Sequence, residues 1–181
     1  MFDDIRSKKI VFIAHCLINQ NAISDGTAVY PAAFTDLINL LMQNDIGIVQ
    51  MPCPELCCLG LDRGNPSGAK SPVLIENTRI RIAMQQKEPN EKLQKLIDYV
   101  MLQISQYRQH GFKIVAIIGA NRSPNCGSET TSENNQEVQG MGLFMAGIAK
   151  QLNAKRIKIP FFGIKASNGL EKIKELLNAP N

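Results

Sequence analysis

Tryptophan is absent from this 181-residue chain, aromatic residues make up 6%, and there are two histidines. Platforms that stack on nucleic-acid bases are built from aromatic faces, so none is expected. No run approaches the 18 uncharged apolar residues that suggest a membrane-spanning helix. Neither a phosphate-binding P-loop nor a complete G-x-G-x-x-G is present, which argues against nucleoside triphosphates and dinucleotides. Five cysteines occur, yet no Cys-x2-Cys pair of the kind common in zinc sites is among them. The opening Met1-Phe2-Asp3-Asp4 is acidic and unlike a secretory signal. A cytoplasmic chain is therefore expected, its cysteines serving as thiols, ligands or nucleophiles and not as disulfides.

What is present is the composition of a globular domain. Apolar residues are 44% and charged residues 20%, enough for one core in one domain over residues 1–181. Residues 1–90 carry 8 basic and 9 acidic side chains, whereas residues 91–181 carry 12 and 7. A basic half can serve an anionic partner such as RNA. Without interleaved aromatics it reads more simply as a solvated face, and no nucleic-acid partner is expected.

Hydrophobic patterning alternates between short apolar runs and helical periodicity. Lys9–His15 and Lys113–Gly119 read as buried strands, Ile46–Met51 as a short apolar strand and Arg156–Phe162 as a strand. Pro31–Gln43, Glu91–His110, Gly140–Leu152 and Asn168–Leu177 read as helices, with Asn90 a candidate N-cap and Gly111 a C′ residue. Val73–Met84 is rich in β-branched residues and holds Asn77-Thr78, so a hairpin is expected there. The alternation predicts a three-layer α/β domain, Rossmann-like or flavodoxin-like, with a mainly parallel sheet. Two polar stretches, 60–72 and 121–137, are long for connections and are expected to be functional or mobile loops.

Three of the cysteines fall at strand ends. Cys16 follows the first strand, Cys53 the second, and Cys126 lies in the loop after the third. The carboxyl ends of parallel strands share one edge, where ligands bind, so three distant thiols are aimed at one place. Burial as small hydrophobes is the ordinary alternative for cysteine, and is the expectation for Cys57 and Cys58 within Leu56–Leu59. For the other three, Pro52, Pro54, Pro124 and Gly127 suggest shaped ligand loops. Three thiolates could hold zinc or an iron–sulfur cluster, and scattered single cysteines favour the cluster. With three ligands, a [4Fe–4S] cluster keeps one iron open as a Lewis acid.

Near these thiols, Glu55 is a candidate general base or acid, and Ser123 a candidate donor to a substrate heteroatom. His15 could ligate or shuttle protons, although a structural histidine at a strand end is the simpler expectation. Gly140-Met141-Gly142 could open a helix whose N-terminus accepts an anion. A thiol enzyme with Cys126 as nucleophile is a further reading, lacking an evident histidine partner.

Three segments together, Ala14-His15-Cys16-Leu17-Ile18, Pro52-Cys53-Pro54-Glu55 and Ser123-Pro124-Asn125-Cys126-Gly127, resemble the DUF523 family, which includes the 2-thiouracil desulfidases. The resemblance implies a [4Fe–4S] cluster on Cys16, Cys53 and Cys126, with Glu55 and Ser123 in catalysis. It implies a non-redox desulfidase that replaces the sulfur of a small thiolated compound with oxygen from water. Where that family continues Cys-Pro-Glu into a Gly-Gly-Leu-Pro-Thr-Pro-Arg-like stretch, this chain has Leu56-Cys57-Cys58-Leu59-Gly60-Leu61-Asp62-Arg63. The competing class is a non-enzymatic module that senses or binds a cluster or nucleobase.

Overall fold

The computed structural model describes residues 2–165 and 169–178. Four strands, β1 (Lys9–Ile13), β2 (Gly47–Gln50), β3 (Lys113–Ala120) and β6 (Phe161–Ile164), form a parallel sheet in the order β2-β1-β3-β6. Helices α1 (His15–Ile18), α2 (Thr35–Gln43), α3 (Pro54–Leu59), α4 (Val73–Met84), α5 (Lys87–Gln109), α6 (Leu143–Ala154) and α7 (Leu170–Asn178) flank it. A separate antiparallel pair, β4 (Thr130–Glu133) and β5 (Gln136–Gln139), lies between β3 and α6 in the chain. The arrangement is the expected Rossmann- or flavodoxin-like three-layer fold.

Burial explains the strand sequences. Val11, Phe12 and Ile13 of β1, and Ala116, Ile117 and Ile118 of β3, are at most 1% exposed. Central strands covered on both faces need continuous apolar runs without alternation. The crossover from β1 to β2 runs in the opposite direction along the sheet from those linking β2 to β3 and β3 to β6. Right-handed crossovers therefore put α2 on one face and α5 and α6 on the other. Leu37 and Leu41 of α2 are fully buried, as are Val100 and Ile104 of α5 and Phe144 and Ile148 of α6.

The long helix α5 starts at Lys87, before the expected Asn90 cap, and Gln86 is its N-cap. Its end follows expectation. Gly111 has φ 78, its N–H meets Arg108 O at 3.1 Å, and Phe112 N–H meets Tyr107 O at 3.0 Å. Those are the two bonds of a Schellman cap. The Tyr107 and Phe112 rings, 5.3 Å apart, add the apolar contact that accompanies it. Helix α2 begins at Thr35, later than Pro31, because the preceding segment bonds elsewhere: Ala32 O accepts from Gln20 N and Phe34 N donates to Leu17 O. The last strand is β6, with 156–160 leading into it; His15 lies in α1, past the strand; Asn168 falls outside the described residues.

One expectation is overturned and a second is narrowed. Val73–Met84 is a helix, with Glu76, Asn77, Ile80 and Met84 on its buried side and Ile75 and Ile82 exposed. Its buried face carries polar groups with partners, so apolar periodicity misreads it. The hairpin lies instead in the expected loop 121–137. Asn134 and Asn135 have φ 50 and 59 and join β4 to β5 as a two-residue turn. Positive φ at both central residues is the demand of the type I′ hairpin, which asparagine tolerates.

Gly119 near the end of β3 sets how closely the following loop lies. A Cβ there would stand 2.2 Å from Ser128 Oγ and 2.3 Å from Cys126 O. Gly119→Ala is expected to cost about 1–3 kcal/mol, as overpacking does, in urea unfolding. A change within about 0.5 kcal/mol, the range of unconstrained surface sites, would contradict this packing.

Candidate functional site

The sheet delivers the three motif cysteines to one edge. Ala14 N donates to Ile118 O and Met51 N to Ile13 O, so pairing continues past the strand ends up to the residues that precede Cys16 and Cys53. Cys16 lies in α1, its carbonyl accepting from Gln20 Nε2 at 2.7 Å. Cys53 is the N-cap of α3, with Pro54 in the first turn and Leu56 N 3.5 Å from its sulfur.

The loop of Cys126 folds back on the strand it leaves: Ala120 N donates to Cys126 O at 2.9 Å. Ser123 Oγ accepts from Cys126 N at 2.9 Å and from Asn125 N at 3.3 Å. The carbonyls of Gly127, Pro124 and Asn125 accept from Gly142, Leu143, Phe144 and Met145 N–H groups at the start of α6. Those are the donors a helix N-terminus normally leaves free. The expected anion site at Gly140-Met141-Gly142 is therefore not formed, because the protein's own loop occupies it.

One cavity of about 80 Å³ is lined by Cys16, Cys53, Cys126, Glu55 and Ser123, the five site residues read from the sequence, together with Arg63. It holds several waters' volume. Cys53 and Cys126 are buried and Cys16 half-buried. Burial pushes the Cys16 thiol up to about 12, with Cys53 and Glu55 nearby adding to the shift. Burial also lifts Cys53 to about 11 and Cys126 well above the ordinary thiol value. As bare groups all three are neutral thiols at pH 7, which disfavours Cys126 as a free nucleophile, since the thiolate is the reactive form.

Glu55 is 6% exposed, and both its oxygens have donors while Oε1 keeps one acceptor site free. Oε1 accepts from Asn125 Nδ2 at 3.0 Å; Oε2 accepts from Ser24 Oγ at 3.1 Å and Arg63 Nε at 3.3 Å. A buried carboxylate needs such compensation. Behind the loop, Asn77 Nδ2 reaches Ser132 Oγ at 3.0 Å and Arg122 O at 3.3 Å, so α4 braces the segment that carries Ser123. Arg63, Ser24, Asn77 and the bond from Asn125 to Glu55 were not read as site features in the sequence. The only signal was that Arg63 falls in a stretch too long for a plain connection.

The remaining candidates lie elsewhere. His15 does not line the cavity, and burial lowers its basicity. Cys58 is buried as expected, whereas Cys57 is exposed, because consecutive residues of α3 face different sides. Basic residues near the C-terminus include ion-paired ones, Lys165 with Glu137 at 2.6 Å and Lys172 with Glu129 at 2.8 Å. No helix among the described residues is long and apolar enough to cross a membrane.

A soft, all-thiol donor set at one cavity suits thiophilic iron or zinc. Among the described residues, no three His, Cys, Asp or Glu side chains are gathered to hold one metal ion as they stand. A cluster engages each thiolate at a separate iron, so single-ion spacing is not its criterion. The three thiols fit such a group by chemistry and by shared cavity.

In the metal-free protein, iodoacetamide at pH 7.5 should modify exposed Cys57 first and spare Cys16, Cys53 and Cys126, as peptide mass spectrometry would reveal. Rapid alkylation of Cys126 would restore the nucleophile reading.

No family model matches the chain, and no solved structure is significantly similar to it. An uncharacterized protein of Methanocaldococcus jannaschii is 28% identical over 122 residues, which span 67% of this chain and 69% of that protein.

Proposed function

We propose that the chain is a hydrolytic desulfidase related to the DUF523 family, converting the C=S group of a small thiolated compound to C=O with water as co-substrate and hydrogen sulfide as product. Cys16, Cys53 and Cys126 would hold a [4Fe–4S] cluster. When bound, the cluster supplies an open, thiophilic iron that acts as a Lewis acid toward sulfur. The observation that carries the reading is the meeting of five residues from three separate loops at one cavity.

The chain's own groups have distinct work. Glu55 can take a proton from a water in the cavity, and its three donors hold the carboxylate in one orientation while this happens. Ser123 Oγ accepts two backbone N–H groups, which leaves its own proton for a substrate heteroatom. The cavity's small volume favours a small molecule over a polymer. Had Glu55 or Ser123 faced away from the thiols, a sensing module would be the better reading; both line the cavity. The compartment that suits five free cysteines is the reducing cytoplasm.

The test uses anaerobically reconstituted protein and 2-thiouracil first, then other thiolated bases, with sulfide release and iron content measured together. Glu55→Gln and Ser123→Ala should keep iron while turnover falls by about 10²–10⁴-fold, the usual contribution of positioned acid–base groups. Unchanged turnover in both would overturn their roles. Iron loss in Glu55→Gln would make that carboxylate a ligand or a fold support. A cluster-bearing wild-type protein that releases no sulfide from any thiolated base would favour sensing.

A further inference from the structure

Arg63 is buried in the cavity wall, its side chain 2% exposed. Its backbone is left-handed, φ 54, and is held from both ends: Arg63 N donates to Gly60 O at 3.2 Å, and Arg63 O accepts from Arg79 Nη2 at 2.8 Å. A buried arginine beside one carboxylate normally turns its planar fork to it and makes two parallel bonds. Arg63 does otherwise. Only Nε faces Glu55, at 3.3 Å. Nη1 donates to Leu61 O, and Nη2 donates to Ala22 O and lies 3.7 Å from Cys53 Sγ. The two backbone carbonyls lock the guanidinium plane, and the fork is divided between a carboxylate and a sulfur.

We infer that Arg63 is a positioning residue that couples the carboxylate of Glu55 to the sulfur of Cys53. The coupling to sulfur rests on the proposed reading of Cys53 as a cluster ligand; the coupling to Glu55 rests on geometry alone. A guanidinium keeps its charge at any working pH, so it places a fixed positive charge and an N–H donor at one thiolate. Hydrogen bonds and charge at ligand sulfur tune an iron–sulfur centre. The same rigid group donates to Oε2 of Glu55 beside Ser24, so one residue bears on both base orientation and ligand charge.

The experiment compares wild type with Arg63→Gln, Arg63→Lys, Glu55→Gln and the double variant Arg63→Gln/Glu55→Gln. The double variant removes the carboxylate that Arg63→Gln would leave uncompensated, so one of the two folds. Iron and sulfide content, the midpoint potential of the reconstituted centre, and kcat and KM are measured for each. Arg63→Gln should keep iron, show a more negative potential and lose about 10–100-fold in kcat, the usual scale of losses from outer-shell changes, with KM near wild type. Arg63→Lys, which restores charge without the fork, should recover the potential more than kcat. The double variant should lie below Glu55→Gln in potential. Potentials equal to those of the parents, or unchanged kcat in Arg63→Gln, overturn the coupling. If wild type binds no iron and sulfide, the cluster reading has failed by itself. The Glu55 half is then decided by metal-free crystal structures of wild type and Arg63→Gln: departure of Glu55 from Ser24 and Asn125 supports it, and an unmoved carboxylate overturns it.

Discussion

The parallel alignment of β2, β1 and β3 is the constraint from which the rest follows. Ile10 through Ile13 of β1 register with Gly47 through Gln50 of β2, and Phe12 and Ile13 with Ile117 and Ile118 of β3. All three strands therefore end at one edge. The strand order reverses between β1 and β3, and crevices at such switch points are where open α/β sheets bind ligands. A slip of one residue would turn every buried side chain to the opposite face and would separate the loops as well. Core packing and site assembly thus depend on the same register.

The site is built on short, tightly bonded segments. The Cys126 loop is tied to β3 through Ala120, to α6 through four helix N–H groups, and to α4 through Asn77. Cys53 is tied to a helix start by Pro54 and Leu56 N. Such bracing keeps a constellation in place without contributing chemistry. The Glu55–Arg63 pair, with side chains 8% and 2% exposed, belongs to the same scheme. A buried ion pair is weak evidence for stability, but removal of one partner typically costs about 3–5 kcal/mol. Its place beside two buried thiols and the half-buried Cys16 fits a functional wall better than a structural core.

The sheet was legible because its central strands, β1 and β3, are buried on both faces and read as unbroken apolar runs. The thiol convergence was legible because it needed only strand ends and the parallel rule. Helix α4 was not. Its buried side spends two positions on Glu76 and Asn77, which bond Arg79 and Ser132, while Ile75 and Ile82 face solvent. That inverts the pattern periodicity relies on. The β4–β5 hairpin carried a readable signal in Asn134-Asn135, whereas the Asn77-Thr78 signal was spurious. Occupation of the α6 N-terminus by the carbonyls of Pro124, Asn125 and Gly127, and the divided fork of Arg63, are tertiary facts with no local trace in the sequence.

The claim that one edge gathers three thiols to hold an iron–sulfur centre is tested most directly by the metal itself. Anaerobic reconstitution, followed by iron, sulfide and zinc analysis and a visible spectrum, should give about four irons and four sulfides per chain for a [4Fe–4S] centre. Serine at Cys16, Cys53 or Cys126 should abolish this, whereas serine at Cys57 should not. Stoichiometric zinc without sulfide, or iron retained after all three motif cysteines are replaced, would contradict the account.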